Sequence, residues 1–204
     1  MRWTIENELC QLADADHVST ALVSLGIIEI GDRGSFSITK QQDWYRSGSE
    51  TYSFAFNVST KHSDEPLFLK ACCPSSPATS LDETFDNWKR RREIFQANHI
   101  PTPRLYSARN ALFLEERIPF HLTADRCRKV SPAVARNFVN TALSVFNRYR
   151  FSPTRPFSNL MSRGDDIVWI DFGEDLGGPS SSGGTEDAIL SEARSFLTMF
   201  PQVN

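Results

Sequence analysis

Cysteine is scarce in this chain. The four present, Cys10, Cys72, Cys73 and Cys127, form no C-x-x-C pair and no disulfide-framework spacing. That argues against a disulfide-stapled scaffold and against a cysteine zinc site, and it suits a reducing compartment. Adjacent Cys72 and Cys73 on a strand would point to opposite faces. His17, His62, His99 and His121 have no metal-ligand spacing. No apolar run approaches the roughly 20 residues that span a bilayer. Nothing at the N-terminus reads as a cleavable signal. A cytosol is the expected working place, and a chain exported into another cell's cytosol would look the same. Excess positive charge is missing too: 22 Lys and Arg stand against 25 Asp and Glu, a net charge of −3. A general binder of nucleic acid or of an anionic membrane is therefore not expected. No serine sits in a nucleophile-elbow motif, and no internal repeat is visible.

What is present is ordinary globular material. The chain has 204 residues, 40% of them hydrophobic, with fifteen Phe. That suits one domain, or one domain of two small lobes. Residues 3–30 read as two short helices ending near Gly26. Strand-like patterns cover Phe36 to Thr39, Thr51 to Ser59 and Leu67 to Cys73. Leu81 to Ala97 reads as a helix with Phe85, Trp88, Arg92 and Phe95 on one face. Pro101 and Pro103 bound it. The basic run Lys89 to Arg92 within it reads as a solvated face. Strands follow near Leu105 and over Ala111 to Ile118. A helix capped by Ser131, with Pro132 at its first position, runs to about Tyr149. Its expected buried stripe is Val134, Phe138, Ala142, Val145 and Phe146. Asn159 to Met161 and Ile167 to Ile170 form a hairpin. Gly173 to Gly184 is a Gly- and Ser-rich loop, and a last helix spans about Thr185 to Met199. Strands first and helices later indicate an α+β chain.

One stretch carries chemistry. Asp165-Asp166-Ile167-Val168-Trp169-Ile170-Asp171-Phe172-Gly173 is a polar turn, a strand and an Asp-Phe-Gly triplet. Asn159 stands twelve residues before Asp171, and Lys70 lies on a strand about a hundred residues before it. Asn159 and Asp171 bracket the hairpin, so their oxygens can converge on one Mg²⁺. An ammonium at Lys70 can reach phosphate oxygens. Taken singly, Lys70 also reads as a surface residue of an edge strand, Asn159 as a turn residue and Asp171 as a cap.

Taken together, these segments resemble the protein-kinase-like superfamily, near its minimal and atypical members and the aminoglycoside phosphotransferases. Glu50 to Phe56 after Gly48 resembles the first two strands and their nucleotide loop. Lys70 matches the strand lysine. Leu112-Phe113-Leu114-Glu115-Glu116 resembles the hinge, and Phe157-Ser158-Asn159-Leu160-Met161 the catalytic loop. The similarity covers about residues 44–175. It implies a compact two-lobed fold binding ATP with Mg²⁺ in a cleft. The implied parts are a helical N-terminal extension (1–40), an N-lobe (41–118) and a truncated C-lobe (119–204). Gly48 and Ser49 would cover the phosphates, and Lys70 would hold them. Backbone groups of Glu115 and Arg117 would meet adenine. Asn159 and Asp171 would hold the metal.

The chain also departs from that family. Thr154 stands where a catalytic Asp is expected, five residues before Asn159, and threonine cannot accept a proton as a carboxylate does. Either Asp171 and the bound metal suffice, another acid such as Asp175 stands in, or transfer is slow or absent. Phe68 occupies a place usually taken by a small residue. The nucleotide loop has the single glycine Gly48. Asp86 is the expected acidic partner of Lys70, with Glu83 and Glu93 behind it. About thirty residues follow Gly173, with no Ala-Pro-Glu motif. That truncation resembles small secreted bacterial effector kinases, one family of which phosphorylates a host heat-shock chaperone. The implied activity is phosphate transfer to a protein Ser, Thr or Tyr by a monomer. A pseudokinase binding module is the first alternative and a small-molecule kinase the second. A helical cap is the expected form of the extension, ahead of a winged-helix element.

Overall fold

The nine-residue run Thr51–Ser59, rich in β-branched and aromatic residues, is the organising strand of a six-stranded antiparallel sheet. The structure, a computed structural model, describes residues 37–40, 45–47, 51–59, 64–72, 81–109, 112–118, 120–158, 160–173, 176 and 184–201. The helices expected over 3–30, the extension apart from Ser37–Lys40, and most of the Gly173 to Gly184 loop lie outside the described residues. In chain order the sheet contains β1 (Ser37–Lys40), β2 (Tyr45–Ser47), β3 (Thr51–Ser59), β4 (Asp64–Cys72), β5 (Leu105–Arg109) and β6 (Leu112–Glu116). The order is β1-β3-β4-β6-β5, and β2 pairs with the other end of β3. β3 and β4 stay in register along their whole length, from Thr51 opposite Cys72 to Ser59 opposite Asp64. β4 is thus an inner strand, with β6 on its far side.

A second, three-stranded antiparallel sheet is made of β7 (Phe120–His121), β8 (Leu160–Arg163) and β9 (Asp166–Trp169). β8 and β9 are joined by a two-residue turn with Gly164 at φ +61°, a backbone conformation that favours glycine. The helices are α1 (Leu81–Ala97), α2 (Ala124–Cys127), α3 (Pro132–Tyr149) and α4 (Glu186–Leu197). Mixed helices and small antiparallel sheets make this an α+β chain. Among the described residues no helix is long and apolar enough to cross a membrane.

Helix ends follow from local chemistry. Ser131 Oγ accepts from the Val134 N–H, and Thr185 Oγ1 caps α4 in the same way. α1 and α3 stop at residues in the left-handed conformation, His99 and Arg150, both at φ 59°. Beyond each, the next N–H reaches back six residues inclusive: Ile100 to Phe95 O, and Phe151 to Phe146 O. That is the Schellman arrangement, made here without glycine. The stop of α1 is therefore His99, ahead of the two prolines. On α3 the buried stripe is Ala135, Phe138, Val139, Ala142, Val145 and Phe146. Val134, expected on that stripe, is 40% exposed. It falls at the edge of the six-residue face, whereas Ala135 lies near its centre. β2, β7 and α2 are too short to carry a periodic signal, and sequence reading missed them.

The described residues fall into two compact units. The first takes those up to Asp86 and then Arg104–Arg117; the second takes Asn87–Pro103 and then those from Ile118 onward. The boundary falls inside α1. In the first unit Phe85 of α1 packs on Phe113 of β6, with ring centroids 4.8 Å apart. The second unit has an aromatic core centred on Phe95, which is sealed from solvent. Phe95 lies 4.9 Å from Trp169, 5.6 Å from Phe172 and 6.5 Å from Phe146. The Trp169 N–H of β9 donates to Pro101 O at 2.8 Å, tying the hairpin to the segment after α1. Cys127 is buried here, and burial pushes its thiol up from its ordinary range.

Candidate functional site

Two clusters contain the chemistry-bearing residues, one in each unit. In the first, Lys70 lies on β4 and is 6% exposed. It is neither at the surface nor on an edge strand. Its Nζ lies 2.8 Å from Glu115 Oε1 and 5.6 Å from the centre of the Phe68 ring. The register accounts for this contact. Phe68 is opposite Glu115 and Lys70 is opposite Phe113, so Lys70 and Glu115 are diagonal neighbours on one face. The long lysine stem closes the diagonal. Asp86, the expected partner, is exposed on α1, and the carboxylate that meets Lys70 is Glu115. Sequence spacing pointed to a helix because the pairing of β4 with β6 cannot be counted from the chain. Glu83 and Glu93 are exposed.

Glu115 is itself 2% exposed. It lies within β6, in register with Phe68 on one side and Leu105 on the other. Its side chain is what it gives to Lys70. Arg117 follows the strand and is half-buried. Phe68 is half-buried as well, and its ring beside the ammonium is a cation–π contact. Gly48 and Ser49 lie outside the described residues.

The second cluster surrounds the end of β9. Asp171 is half-buried, and its Oδ1 accepts from the Gly173 N–H at 3.1 Å. The Trp169 indole N–H donates to the Asp171 carbonyl. Phe172 is fully buried, edge-on to Trp88 at 6.2 Å and under the Arg92 guanidinium at 5.4 Å. Arg91, the preceding residue on α1, donates to Phe172 O at 3.2 Å and also to Gly173 O. Burial pulls the Arg91 guanidinium below its ordinary range, and the nearby Asp171 charge opposes that pull. Arg92 is 2% exposed and donates to Pro103 O. The basic run is thus split: Lys89 and Arg90 are exposed, while Arg91 and Arg92 turn inward. The signal was in the spacing. Arg91 is three residues after Trp88 and four before Phe95, on the flank of the buried face.

The segment before β8 carries the expected catalytic-loop positions. Thr154 is exposed. The Phe157 N–H donates to Glu192 Oε1 of α4 at 3.0 Å. Burial raises the Glu192 carboxyl above its ordinary value, opposed by that hydrogen bond and by Arg155. Sequence reading missed Glu192, although it lies three residues after Ile189 and four before Phe196 of the buried stripe. Asn159 and Asp175 lie outside the described residues. Among the described residues no group of three or more His, Cys, Asp or Glu could hold a metal by itself. Asp171 still offers the carboxylate oxygen that Mg²⁺ takes beside phosphate and water. No protein-family model matches the chain, and no curated protein matches it.

Proposed function

We propose that the chain is a minimal, atypical member of the protein-kinase-like superfamily, transferring the γ-phosphate of ATP to a protein Ser, Thr or Tyr. The observation that carries the reading is the state of Lys70. In protein kinases the strand lysine that meets the phosphates is held in an ion pair with a carboxylate, and Glu115 holds Lys70 in such a pair. Here the acid comes from the neighbouring strand, not from a helix. Asp171 within Asp-Phe-Gly supports the same reading, and with Asn159 it would hold Mg²⁺. When bound, that ion neutralises charge on the β- and γ-phosphate oxygens. Gly48 and Ser49 would cover the phosphates, and Arg117 would lie by the base. In this reading the substrate is a protein, and in its effector version a host chaperone.

Thr154 sets the expected rate. A general base contributes about 10²–10⁴-fold, while positioning and charge neutralisation make up most of phosphoryl-transfer catalysis. Losing the base therefore slows transfer without abolishing it. The same residue favours one second reading, a pseudokinase that binds nucleotide and a partner without turnover.

The test is incorporation of label from γ-labelled Mg-ATP into the protein itself and into a eukaryotic lysate. Wild type and Asp171→Ala are compared over long incubations. A labelled band present with wild type and lost with Asp171→Ala is the expected result. Equal labelling, or none with either, removes the kinase reading, and none with either favours the pseudokinase.

A further inference from the structure

We infer that Glu115 is the positioning residue of Lys70 and that their pair is a fixed part of the sheet, formed on folding and neither made nor broken by movement of α1. The inference deepens the proposed function and rests on its assignment of Lys70 to the phosphates. Protein kinases take the partner of this lysine from a helix, and the position of that helix switches the site. A partner on a strand removes that means of control. The register builds the pair. Phe68 faces Glu115 across the β4–β6 ladder, and Lys70 faces Phe113. Opposite residues share a face, as do residues two apart on one strand. The four side chains therefore form one block, with the charges on one diagonal and the rings on the other. Lys70 Nζ meets Glu115 Oε1 at 2.8 Å, and both side chains are buried. The Phe68 ring lies 5.6 Å from the ammonium, and Phe113 is buried beside it. α1 meets the block through Phe85, whose ring packs on Phe113 at 4.8 Å. The α1 acids Glu83 and Asp86 are exposed.

Two routes could part the charges, and both are costly. β4 is held on both sides, by nine residue pairs to β3 and five to β6. A one-residue slip turns Lys70 to the other face of the sheet, and a two-residue slip breaks both ladders. Swinging the lysine away instead leaves the Glu115 carboxylate buried without its counter-charge. The ammonium therefore keeps one place whether or not nucleotide is bound. Activity at this site then needs no modification or partner that repositions α1.

Label incorporation from γ-labelled Mg-ATP into a eukaryotic lysate, measured across ATP concentrations, tests positioning. The Nζ–H signal of Lys70 in NMR tests the pair without turnover, because an ammonium held in a buried ion pair exchanges its protons slowly. Glu115→Gln is expected to lose that signal and to lower the maximal rate on the order of 10²-fold, as a misplacement of about 1 Å does. Its KM for ATP is expected to be no higher than that of wild type, since the change removes an anion. Asp86→Asn is expected to match wild type in rate, KM and signal. Exchanging the partners, Lys70→Glu with Glu115→Lys, keeps a pair inside the sheet but moves the ammonium to β6. That variant is expected to melt near wild type and to label nothing, which keeps the test open if Glu115→Gln does not fold. A wild-type rate in Glu115→Gln overturns the inference, as does a raised KM at unchanged maximal rate. So does labelling by the exchanged pair, or a loss of rate or signal in Asp86→Asn. In wild type the Nζ–H signal is expected to persist when Mg²⁺ and a non-hydrolysable ATP analogue are added, and its disappearance overturns a fixed pair. If wild type labels nothing, the kinase reading fails by itself. The signal then decides the pair: loss in Glu115→Gln with retention in Asp86→Asn upholds it, and survival in Glu115→Gln overturns it.

Discussion

Lys70 and Glu115 are opposite charges held nearly out of water, with 7% and 2% of their side chains exposed. Desolvating two ions costs several kcal/mol each, and their attraction offsets this when the geometry is good. Removing one partner leaves the other charge buried and uncompensated. Glu115→Ala is accordingly expected to lower stability by roughly 3–5 kcal/mol, read from chemical denaturation. The double variant Lys70→Met with Glu115→Leu is expected to recover most of that loss, because apolar residues of similar volume often replace a buried pair without cost. Equal destabilisation by the single and double variants would show that the pair does not act as a unit. The sequence made Lys70 conspicuous and left Glu115 reading as a hinge residue. Lys70 stood out only through its order with Asn159 and Asp171; which carboxylate faces it depends on a cross-strand register that no count along the chain contains.

At the scale of elements, the long segments were legible and the short or irregular ones were not. Leu81–Ala97, Thr51–Ser59 and Pro132–Tyr149 have the bounds that periodicity and capping predict. The left-handed closures at His99 and Arg150 were not legible, although the helix ends were, since a left-handed residue that is not glycine leaves no compositional mark. Glu192 shows how an element can anchor another through a titrating group. Its carboxyl on α4 holds the Phe157 N–H, and burial raises it above its ordinary value of 4.5. An acid that binds its proton more tightly in the folded chain gives stability that is complete below the unfolded value. That stability is lost as pH rises through the folded value. Stability is therefore expected to fall with rising pH just above 4.5 and then level off. Glu192→Gln keeps an acceptor for Phe157 and is expected to flatten that slope. An unchanged slope in thermal melts across this window would assign the pH dependence to other groups.

For the molecule as a whole, the decisive fact is that neither unit is a continuous piece of chain. The second unit takes Asn87–Pro103 from the middle of the first. That borrowed segment brings Phe95 to the aromatic core, Arg91 and Arg92 to the Phe172 and Pro103 carbonyls, and Pro101 O to Trp169. A fragment starting at residue 118 is thus expected to lack a cooperative melt and near-ultraviolet circular dichroism. Adding a peptide of residues 81–103 in trans is expected to restore both. A folded fragment without the peptide would mean that Phe95 is dispensable to that core. The same interleaving sets an order of events during synthesis. The ribosome releases Phe95 well before Phe146, Trp169 and Phe172, so the far half of α1 emerges with no core to enter. Domains otherwise tend to fold as they leave the tunnel; here the nascent chain keeps the Trp88 and Phe95 face of an otherwise charged helix uncovered until Phe146 to Phe172 arrive, which makes that interval the natural moment for a chaperone to hold it.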